Sequence, residues 1–366
     1  MKVCVLGAGK VGTTIGAMLE SCAFCEAVYL ADCRPPAAPL PLSKAQFESF
    51  DVADTKRLKA FIAGKDAVVR AAPFYLNREI AAACAQAGVA YFDLTEDVET
   101  TAVVRRLAEG ASVPFMPQCG LAPGAINIIG ASLARELPAL RSLELRVGAL
   151  PLYASNAMKY YLSWNTAGLI NEYCNLCEVI CGGRHLLVEA LDGYERLTLD
   201  GTEYEAFYTS GGVGILCETY AGRVRELNYK TIRYPGHRDL MKFLLYDLNL
   251  IENRKLLTEI FDQEVPVTET DVVILYVNVV GQDAEGVRQR SFAKKIYGDT
   301  IDGRRYSAIQ LSTAAGLVAV LELYARGRLA GGFVKQESVA FSDFLSTLWG
   351  GRIYAGEEKS ALPPAR

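Results

Sequence analysis

The N-terminal segment VCVLGAGKVG, residues 3–12, decides the fold class of this chain. Four apolar residues predict a buried strand, and a G-x-G-x-x-G pattern follows directly and opens a helix. Gly7 allows a tight turn, Gly9 lets the backbone approach a pyrophosphate, and Gly12 lets helix and strand pack closely. Free N–H groups at the start of the helix attract phosphate charge. The segment therefore predicts a dinucleotide site formed by Gly7, Ala8, Gly9, Lys10, Val11 and Gly12.

An acidic residue at the end of the next predicted strand indicates which dinucleotide binds. Asp32 follows Gly12 by 20 residues, and its carboxylate can accept both ribose hydroxyls. A 2′-phosphate there would meet like charge, so NAD is favoured over NADP. NADP remains the alternative cofactor because of Arg34, since a guanidinium can bind a 2′-phosphate. Asp51, Val52, Ala72 and Pro73 are further predicted cofactor contacts.

The rest of the chain alternates short apolar runs with helical patterns, which is typical of an α/β fold with a doubly wound parallel sheet. The length of 366 residues suggests two domains, or three at most. We predict a NAD-binding Rossmann domain over residues 1–123 and a mixed-sheet α/β domain for substrate binding and dimerisation over 124–305. An apolar helix after Tyr306 is predicted to return the chain to the first domain over residues 306–355.

Composition excludes several classes of protein. With 51% apolar and 22% charged residues, the chain is not intrinsically disordered. The formal net charge of −4 argues against a nucleic-acid or anionic-membrane partner. The N-terminus lacks the pattern of a signal peptide, which predicts a cytoplasmic protein with free thiols. The apolar stretch 309–325 contains polar interruptions and is interpreted as a buried helix.

Cysteine spacing is the one pattern that suggests a metal. Cys174, Cys177 and Cys181 are spaced i, i+3, i+7, which fits one helical face as readily as a metal centre. No fourth ligand with zinc spacing follows, and cysteine is among the most buried residue types. We therefore expect core packing and no metal.

Two segments resemble a known family. Residues 117–124, PQCGLAPG, and 228–237, NYKTIRYPGH, are similar to segments of the saccharopine dehydrogenase-like family, which includes saccharopine reductases and lysine 6-dehydrogenases. The resemblance runs from Met1 to about Leu345, with YYLSW at 160–164 and VKQES at 334–338. It implies a homodimer with the two-domain fold described above.

One segment differs from that of saccharopine reductases and narrows the choice of substrate. Saccharopine reductases carry an Asn-Arg-Asp-Ser segment, whereas this chain has Thr209-Ser210-Gly211-Gly212, as lysine 6-dehydrogenases do. Without that arginine, the site suits a smaller substrate. The resemblance implies NAD-dependent oxidative deamination of a terminal amine, most simply that of L-lysine. Glu96 and Asp97 replace the glycine and histidine of lysine dehydrogenases and favour a more cationic substrate, such as a polyamine derivative.

The reaction requires a general base of near-neutral pKa. His237 is the first candidate because imidazole titrates in that range, although a packed histidine is the structural alternative. Asp93 and Asp97 follow a parallel strand on the ligand side of the sheet and are further catalytic candidates. Asp97 would otherwise cap the next helix. Glu96 is expected to hold the substrate ammonium.

The remaining candidates concern substrate binding. Arg233 is expected to pair with the substrate α-carboxylate. Tyr161 and Trp164 are expected to shape an apolar slot, unless they are core residues. Thr209 and Ser210 either donate hydrogen bonds to substrate or only form the turn before Gly211.

Two other functions fit the same residues. A saccharopine or carboxyspermidine-type reductase would form a secondary amine from an aldehyde or keto acid. A protein that binds NAD as a sensor or scaffold would need no catalytic group, and His237, Arg233 and Asp93 together argue against it.

Overall fold

The computed structural model describes residues 1–36, 43–71 and 76–356, and a parallel sheet forms its N-terminal part. The strands of this sheet are β1 (Lys2–Leu6), β2 (Ala27–Asp32), β3 (Ala45–Ser49), β4 (Ala67–Arg70), β5 (Ala90–Asp93), β6 (Pro114–Met116) and the late β17 (Gly332–Phe333). Their order across the sheet is β17-β6-β5-β4-β1-β2-β3, and all neighbours are parallel. The order reverses between β1 and β4, which places a ligand crevice beyond the carboxyl ends of these strands.

Alternate residues of β1 enter two separate cores. Val3 and Val5 belong to one apolar cluster, whereas Cys4 and Leu6 belong to another on the opposite face. Both faces of the sheet are therefore covered, as expected for a doubly wound sheet. The covering helices of this region are α1 (Lys10–Glu20), α2 (Thr55–Ile62), α3 (Asn77–Ala87) and α4 (Val98–Leu107).

A mixed sheet forms the second domain. Its strands are β7 (Ala139–Pro151), β8 (Cys177–Cys181), β9 (Arg184–Val188), β10 (Glu195–Leu199), β11 (Thr202–Tyr208), β12 (Glu226–Arg233), β13 (Asp271–Asp283) and β14 (Gly286–Tyr297). The main path is β10-β11-β12-β7-β13-β14, and the β8–β9 hairpin pairs with β12 through β8. The pair β12–β7 is parallel and the other pairs are antiparallel.

Helices and short elements complete this domain. They are α5 (Ala125–Arg135), α6 (Thr166–Cys174), α7 (Leu216–Tyr220), α8 (His237–Lys242), a π-helical turn (Phe243–Asp247), α9 (Arg254–Glu264) and the hairpin β15 (Asp299–Ile301) to β16 (Arg304–Tyr306). Helix α6 approaches the first domain, since a Cβ on Gly168 would lie 3.3 Å from Glu96 Oε1, and it bonds the end of β12 through Tyr173 and Arg233.

The C-terminal segment returns to the first sheet. It consists of α10 (Ala308–Ala325), β17, α11 (Phe341–Leu345) and α12 (Leu348–Tyr354). Helix α10 packs against α1, and the Trp349 indole N–H donates to the Met18 carbonyl at 3.0 Å. Among the described residues, α10 is the helix long and apolar enough to cross a membrane, and 78% of it is buried inside the molecule. This burial confirms the interpretation of residues 309–325 as a core helix.

The predicted fold class is confirmed, and the differences concern exposed elements. Strand β3 was not predicted, because only its first residue is half-buried and the next four are exposed. The expected helical face of cysteines is wrong: Cys174 ends α6, whereas Cys177 and Cys181 lie on β8. Cys177 is buried and Cys181 is exposed, so the three thiols do not share a core.

Candidate active site

The glycine-rich turn has the shape that a pyrophosphate requires. Gly7 has a φ of 108°, and its N–H donates to the Ala31 carbonyl at 2.8 Å. A Cβ on Gly12 would lie 1.8 Å from the Gly7 carbonyl oxygen, so only glycine allows α1 to start this close to β1. A Cβ on Gly9 would meet nothing within 4 Å. The open space beside Gly9, at the N-terminus of α1, fits a dinucleotide phosphate.

Asp32 is held beside this turn as a carboxylate. Ala8 N–H donates to Asp32 Oδ2 at 2.8 Å, and Arg34 N–H donates to Oδ1 at 3.1 Å. Partial burial opposes ionisation, but these backbone N–H groups outweigh it and lower the pKa of Asp32. Its position at the end of β2 fits a ribose that needs an acceptor for its hydroxyls.

The other predicted cofactor contacts have different surroundings. Lys10 and Val11 begin α1, with the Lys10 side chain exposed. Asp51 is exposed and accepts from the Ala53 N–H at 2.9 Å, whereas Val52 is buried. Ala72 and Pro73 lie outside the described residues.

Asp93 organises the end of β5 from a fully buried position. Its carboxylate accepts from Tyr91 Oη at 2.7 Å, Thr95 N–H at 2.9 Å and Gln118 N–H at 3.0 Å. Burial raises the pKa of Asp93, although the charge of Arg70 opposes the shift. The prediction that Asp93 exchanges protons with substrate is corrected, because its exposure is 0%. Asp93 is a positioning residue that ties β5 to the loop after β6.

The two acidic residues after β5 have separate roles. Asp97 caps α4, since its Oδ2 accepts from the Thr100 N–H at 2.6 Å. Its capping role, rather than a catalytic one, is what the structure shows. Glu96 is half-buried, and no donor among the described residues bonds its carboxylate. Burial, then the charge of Asp97, raise the pKa of Glu96 to about 7 against the opposing charge of Arg70.

A second glutamate, which the sequence analysis missed, faces Glu96 from the other domain. A Cβ on Gly168 would lie 3.3 Å from Glu96 Oε1, and Glu172 follows Gly168 by one turn of α6. Burial, then the charge of Glu96, raise the pKa of Glu172 well above its usual value. The signal in the sequence was a single acidic residue within the apolar run LINEYC.

Arg233 ends β12 inside an aromatic enclosure. Its exposure is 2%, and its guanidinium carbon lies 5.1 Å from the Tyr160 ring centroid and 5.8 Å from that of Tyr173. Arg233 Nε donates to Tyr173 Oη at 2.9 Å, and Nη1 donates to the Ile232 carbonyl at 2.9 Å. Nη2 makes no hydrogen bond within the described part of the chain. A carboxylate is the natural partner for that free edge.

His237 supports this arginine through Tyr173. Its Nε2 lies 3.0 Å from Tyr173 Oη, and its Nδ1 lies 2.9 Å from the Met158 carbonyl oxygen. Because a carbonyl only accepts, Nδ1 must donate, which leaves Nε2 to accept the Tyr173 hydroxyl proton. Tyr173 Oη then accepts from Arg233. The three side chains form one chain of directed hydrogen bonds that fixes the guanidinium.

This arrangement corrects the prediction that His237 is the general base. The ring is fully buried, and both of its nitrogens are bonded to protein groups. Burial, then the charge of Arg233, lower the pKa of His237 to about 3. The imidazole is therefore neutral at physiological pH. We assign it as a positioning residue.

The two aromatic residues that were predicted to shape an apolar slot lie in different places. Trp164 packs over Gly168, where a Cβ would lie 2.7 Å from the indole Cζ3, and so it borders Glu96. Tyr161 does not reach Arg233: its hydroxyl bonds Ser155, and it lines a surface cavity of about 560 Å³ with Lys159 and Tyr234. Tyr160, its buried neighbour, contacts Arg233 instead.

The hydroxyls of Thr209 and Ser210 form hydrogen bonds with other groups of the protein. Thr209 Oγ1 lies 2.7 Å from Thr231 Oγ1, and Ser210 Oγ donates to the Asn171 carbonyl at 3.1 Å. They hold the turn that follows, and a Cβ on Gly211 would lie 2.8 Å from the Glu96 Cβ. The turn alternative for Thr209 and Ser210 is therefore the one observed.

Comparison with known proteins agrees with this two-domain site. The model of the saccharopine dehydrogenase NADP-binding domain matches residues 3–120, and that of the saccharopine dehydrogenase C-terminal domain matches residues 120–350. The chain belongs to the saccharopine dehydrogenase-like family. It is an oxidoreductase with a Rossmann fold for a nicotinamide dinucleotide.

Two solved structures share the fold. Apo saccharopine dehydrogenase (L-Glu forming) from Saccharomyces cerevisiae has a TM-score of 0.73 at 15% identity, over 92% of this chain and 94% of that one. Homospermidine synthase from Legionella pneumophila in complex with NAD has a TM-score of 0.67 at 13% identity, over 96% and 89%. At these identities the likeness concerns the fold alone.

Proposed function

We propose that this member of the saccharopine dehydrogenase-like family catalyses NAD-dependent oxidative deamination of a terminal amine on an amino acid, with L-lysine as the first substrate to test. The observation that carries the proposal is the Glu96 carboxyl, which is half-buried at the crevice with a pKa of about 7. A base of that strength suits proton abstraction from an ammonium group at neutral pH.

The reaction balances with water and one dinucleotide. The substrate R–CH₂–NH₃⁺ with NAD⁺ and H₂O gives R–CHO, NH₄⁺, NADH and H⁺. When bound, the nicotinamide ring would accept a hydride from the carbon that bears the amine. Glu96 takes the ammonium proton first and releases it to solvent, which is the H⁺ of the equation. It then takes a proton from the water that adds to the iminium carbon and passes it to the departing amine. The aldehyde of lysine can cyclise with its own α-amine.

The positions of the other residues suit an amino-acid substrate. Arg233 presents a free Nη2 for the α-carboxylate, and Trp164, which packs over Gly168 beside Glu96, would supply an apolar wall for the methylene chain. The Tyr173–His237 chain keeps Arg233 in place. Gly9 and Asp32 hold the dinucleotide at the phosphate and the ribose.

The preference for NAD rests on Asp32. Its carboxylate is stabilised by the Ala8 and Arg34 N–H groups and would repel a 2′-phosphate. Fluorescence titration tests this point: NADH is expected to bind more tightly than NADPH, and the reverse order would contradict the role of Asp32.

A reductase that joins an amine to an aldehyde or keto acid is the second candidate. The observation that favours it is Glu172, since two facing carboxyl groups can hold a substrate with more than one cationic nitrogen. Such an enzyme would oxidise NADH in the presence of an amine and a carbonyl compound. It would give no NADH with an amine alone.

The deciding assay follows NADH formation by absorbance with NAD⁺ and a panel of L-lysine, L-ornithine, diamines and saccharopine. NADH formation with L-lysine supports the proposal. Turnover of saccharopine alone, or turnover only in the reductive direction, contradicts it.

A further inference from the structure

Glu172 and Arg233, both in the second domain, interact by charge without forming an ion pair. Burial, then the charge of Glu96, raise the pKa of Glu172, and the positive charge of Arg233 opposes that rise, yet the two side chains form no ion pair within 4.0 Å in the described part of the chain. An acidic and a basic side chain that are held apart inside a protein leave room for a ligand that carries both charges, and the ligand's own ammonium favours the ionised carboxylate. An α-amino-acid head group is such a ligand.

Each residue has a hydrogen-bonding edge available for that ligand. The Glu172 carboxylate accepts no hydrogen bond from the described residues. Arg233 keeps Nη2 free, because Tyr173 and the Ile232 carbonyl occupy only Nε and Nη1. Polar groups in such sheltered positions are normally satisfied, so their free edges point to a ligand.

The backbone fixes both side chains in place. Glu172 lies on α6, and its carbonyl accepts the Ser210 N–H at 3.0 Å, which ties the helix to the turn beside Glu96. Tyr173, the next residue on α6, bonds Arg233 directly. One segment of α6 therefore carries Glu172 and also fixes the guanidinium opposite it.

We propose that Glu172 binds the α-ammonium of the substrate while Arg233 binds its α-carboxylate, so that the two residues together select α-amino acids. This assignment rests on the proposed function for the identity of the reacting amine, which stays with Glu96. It adds a specificity-determining residue, and it predicts that diamines and deamino acids bind poorly because each lacks one half of the head group.

Four ligands separate the two ends of the substrate. L-lysine carries both ends. L-norleucine lacks the ε-amine, 6-aminohexanoate lacks the α-amine, and cadaverine lacks the carboxylate. Their affinities for the protein saturated with NADH are measured by calorimetry, in the wild type and in Glu172→Gln. Glu178→Gln is the matched control, because Glu178 lies on β8 and pairs with His185 instead of facing the crevice.

In the wild type, L-norleucine is expected to bind, and 6-aminohexanoate and cadaverine to bind at least about 10-fold more weakly than L-lysine. Glu172→Gln is expected to weaken the binding of L-lysine and L-norleucine by about 10-fold to 100-fold, because a charged hydrogen-bond partner is lost. The same change should leave 6-aminohexanoate unaffected. Glu172→Asp, which keeps the charge, should recover part of the loss.

Two results would overturn the assignment. The first is failure of L-norleucine to bind the wild type, or binding of cadaverine as tight as that of L-lysine. The second is an equal loss of L-lysine and 6-aminohexanoate affinity in Glu172→Gln. The wild-type series decides the matter even if the variant does not fold. If no amine yields NADH, the proposed function fails, but L-norleucine binding still tests the head-group site.

Discussion

Glu96, the proposed general base, illustrates how a reactive group can be made at the expense of stability. Its carboxyl lies against Gly168, Gly211 and Trp164, and no donor in the described chain stabilises its anion. The pKa is consequently raised from 4.5 to about 7. A carboxylate that is poorly stabilised in the free enzyme is a stronger base for a substrate ammonium.

The first prediction is that Glu96→Gln removes the general base. We expect kcat to fall by about 10²-fold to 10⁴-fold, while NADH affinity stays close to that of the wild type. Steady-state rates with L-lysine and an NADH titration test this. A variant with near wild-type kcat would remove Glu96 from the mechanism.

The same substitution has a predicted effect on stability. The pKa of Glu96 is higher in the folded protein than in the unfolded chain. Between pH 4.5 and about pH 7, the folded protein therefore keeps a proton on Glu96 that the unfolded chain has lost. The stability linked to this proton is complete below 4.5 and is lost as the pH rises to about 7. Glu96→Gln should therefore have a higher Tm than the wild type above that range. An unchanged or lower Tm there would contradict the raised pKa.

A pH profile separates Glu96 from His237. The kcat/KM of the wild type should rise with pH and level off above about 7, since the base must lose its proton. His237→Asn should keep that inflection and should mainly raise KM, by about 10-fold, because Arg233 loses its support. Loss of the inflection in His237→Asn would instead identify His237 as the general base.

The sequence predicted the acidic and basic site residues better than their roles. Glu96 and Arg233 were found because they follow recognisable strands and motifs. The pKa of His237 depends on complete burial, which one residue type in one motif does not reveal. Tyr160 and Tyr161 are adjacent, so their assignment depended on which of them faces inward, and the pattern left that open.

The turn between β1 and α1 offers a matched pair of glycines. A Cβ on Gly12 would lie 1.8 Å from the Gly7 carbonyl oxygen, whereas a Cβ on Gly9 would meet nothing within 4 Å. Gly12→Ala is expected to destabilise the protein by about 1–3 kcal/mol. Gly9→Ala should change stability by less than about 0.5 kcal/mol.

Both variants should weaken dinucleotide binding, for different reasons. In Gly9→Ala the methyl group occupies the phosphate space of an intact fold, and in Gly12→Ala the start of α1 is displaced. Thermal unfolding and NADH titration measure the two effects separately. Full NADH affinity in Gly9→Ala would show that the phosphate does not lie beside Gly9.

The buried strand at residues 3–6 and the helix that follows it were predicted where they are observed. Strand β3 was missed because four of its five residues are exposed. Strand β8 was missed because the spacing of Cys174, Cys177 and Cys181 was interpreted as one face of a helix. None of the predicted site residues lies on these strands.

The two domains share one apolar core, which includes Val3 of β1, Leu145 of β7 and Leu317 of α10. We therefore expect calorimetry to show one cooperative unfolding transition. A fragment of residues 1–305 lacks α10, β17 and Trp349 and should not fold, as circular dichroism would show. Two separate transitions, or a folded fragment, would contradict a shared core.

The homodimer remains a prediction for the molecule as a whole. Light scattering would show a mass twice that of the chain if it is right. A monomeric mass would contradict the prediction that the second domain forms a dimer. It would not bear on the proposed site in the crevice.

The central claim is that Glu96 serves as the base of an NAD-dependent amine dehydrogenase. The most direct test compares NADH formation from NAD⁺ and L-lysine in the wild type, Glu96→Gln and the control Glu178→Gln. NADH formation is expected with the wild type and the control, and almost none is expected with Glu96→Gln. Equal rates in all three proteins, or no NADH from any of them, would contradict it.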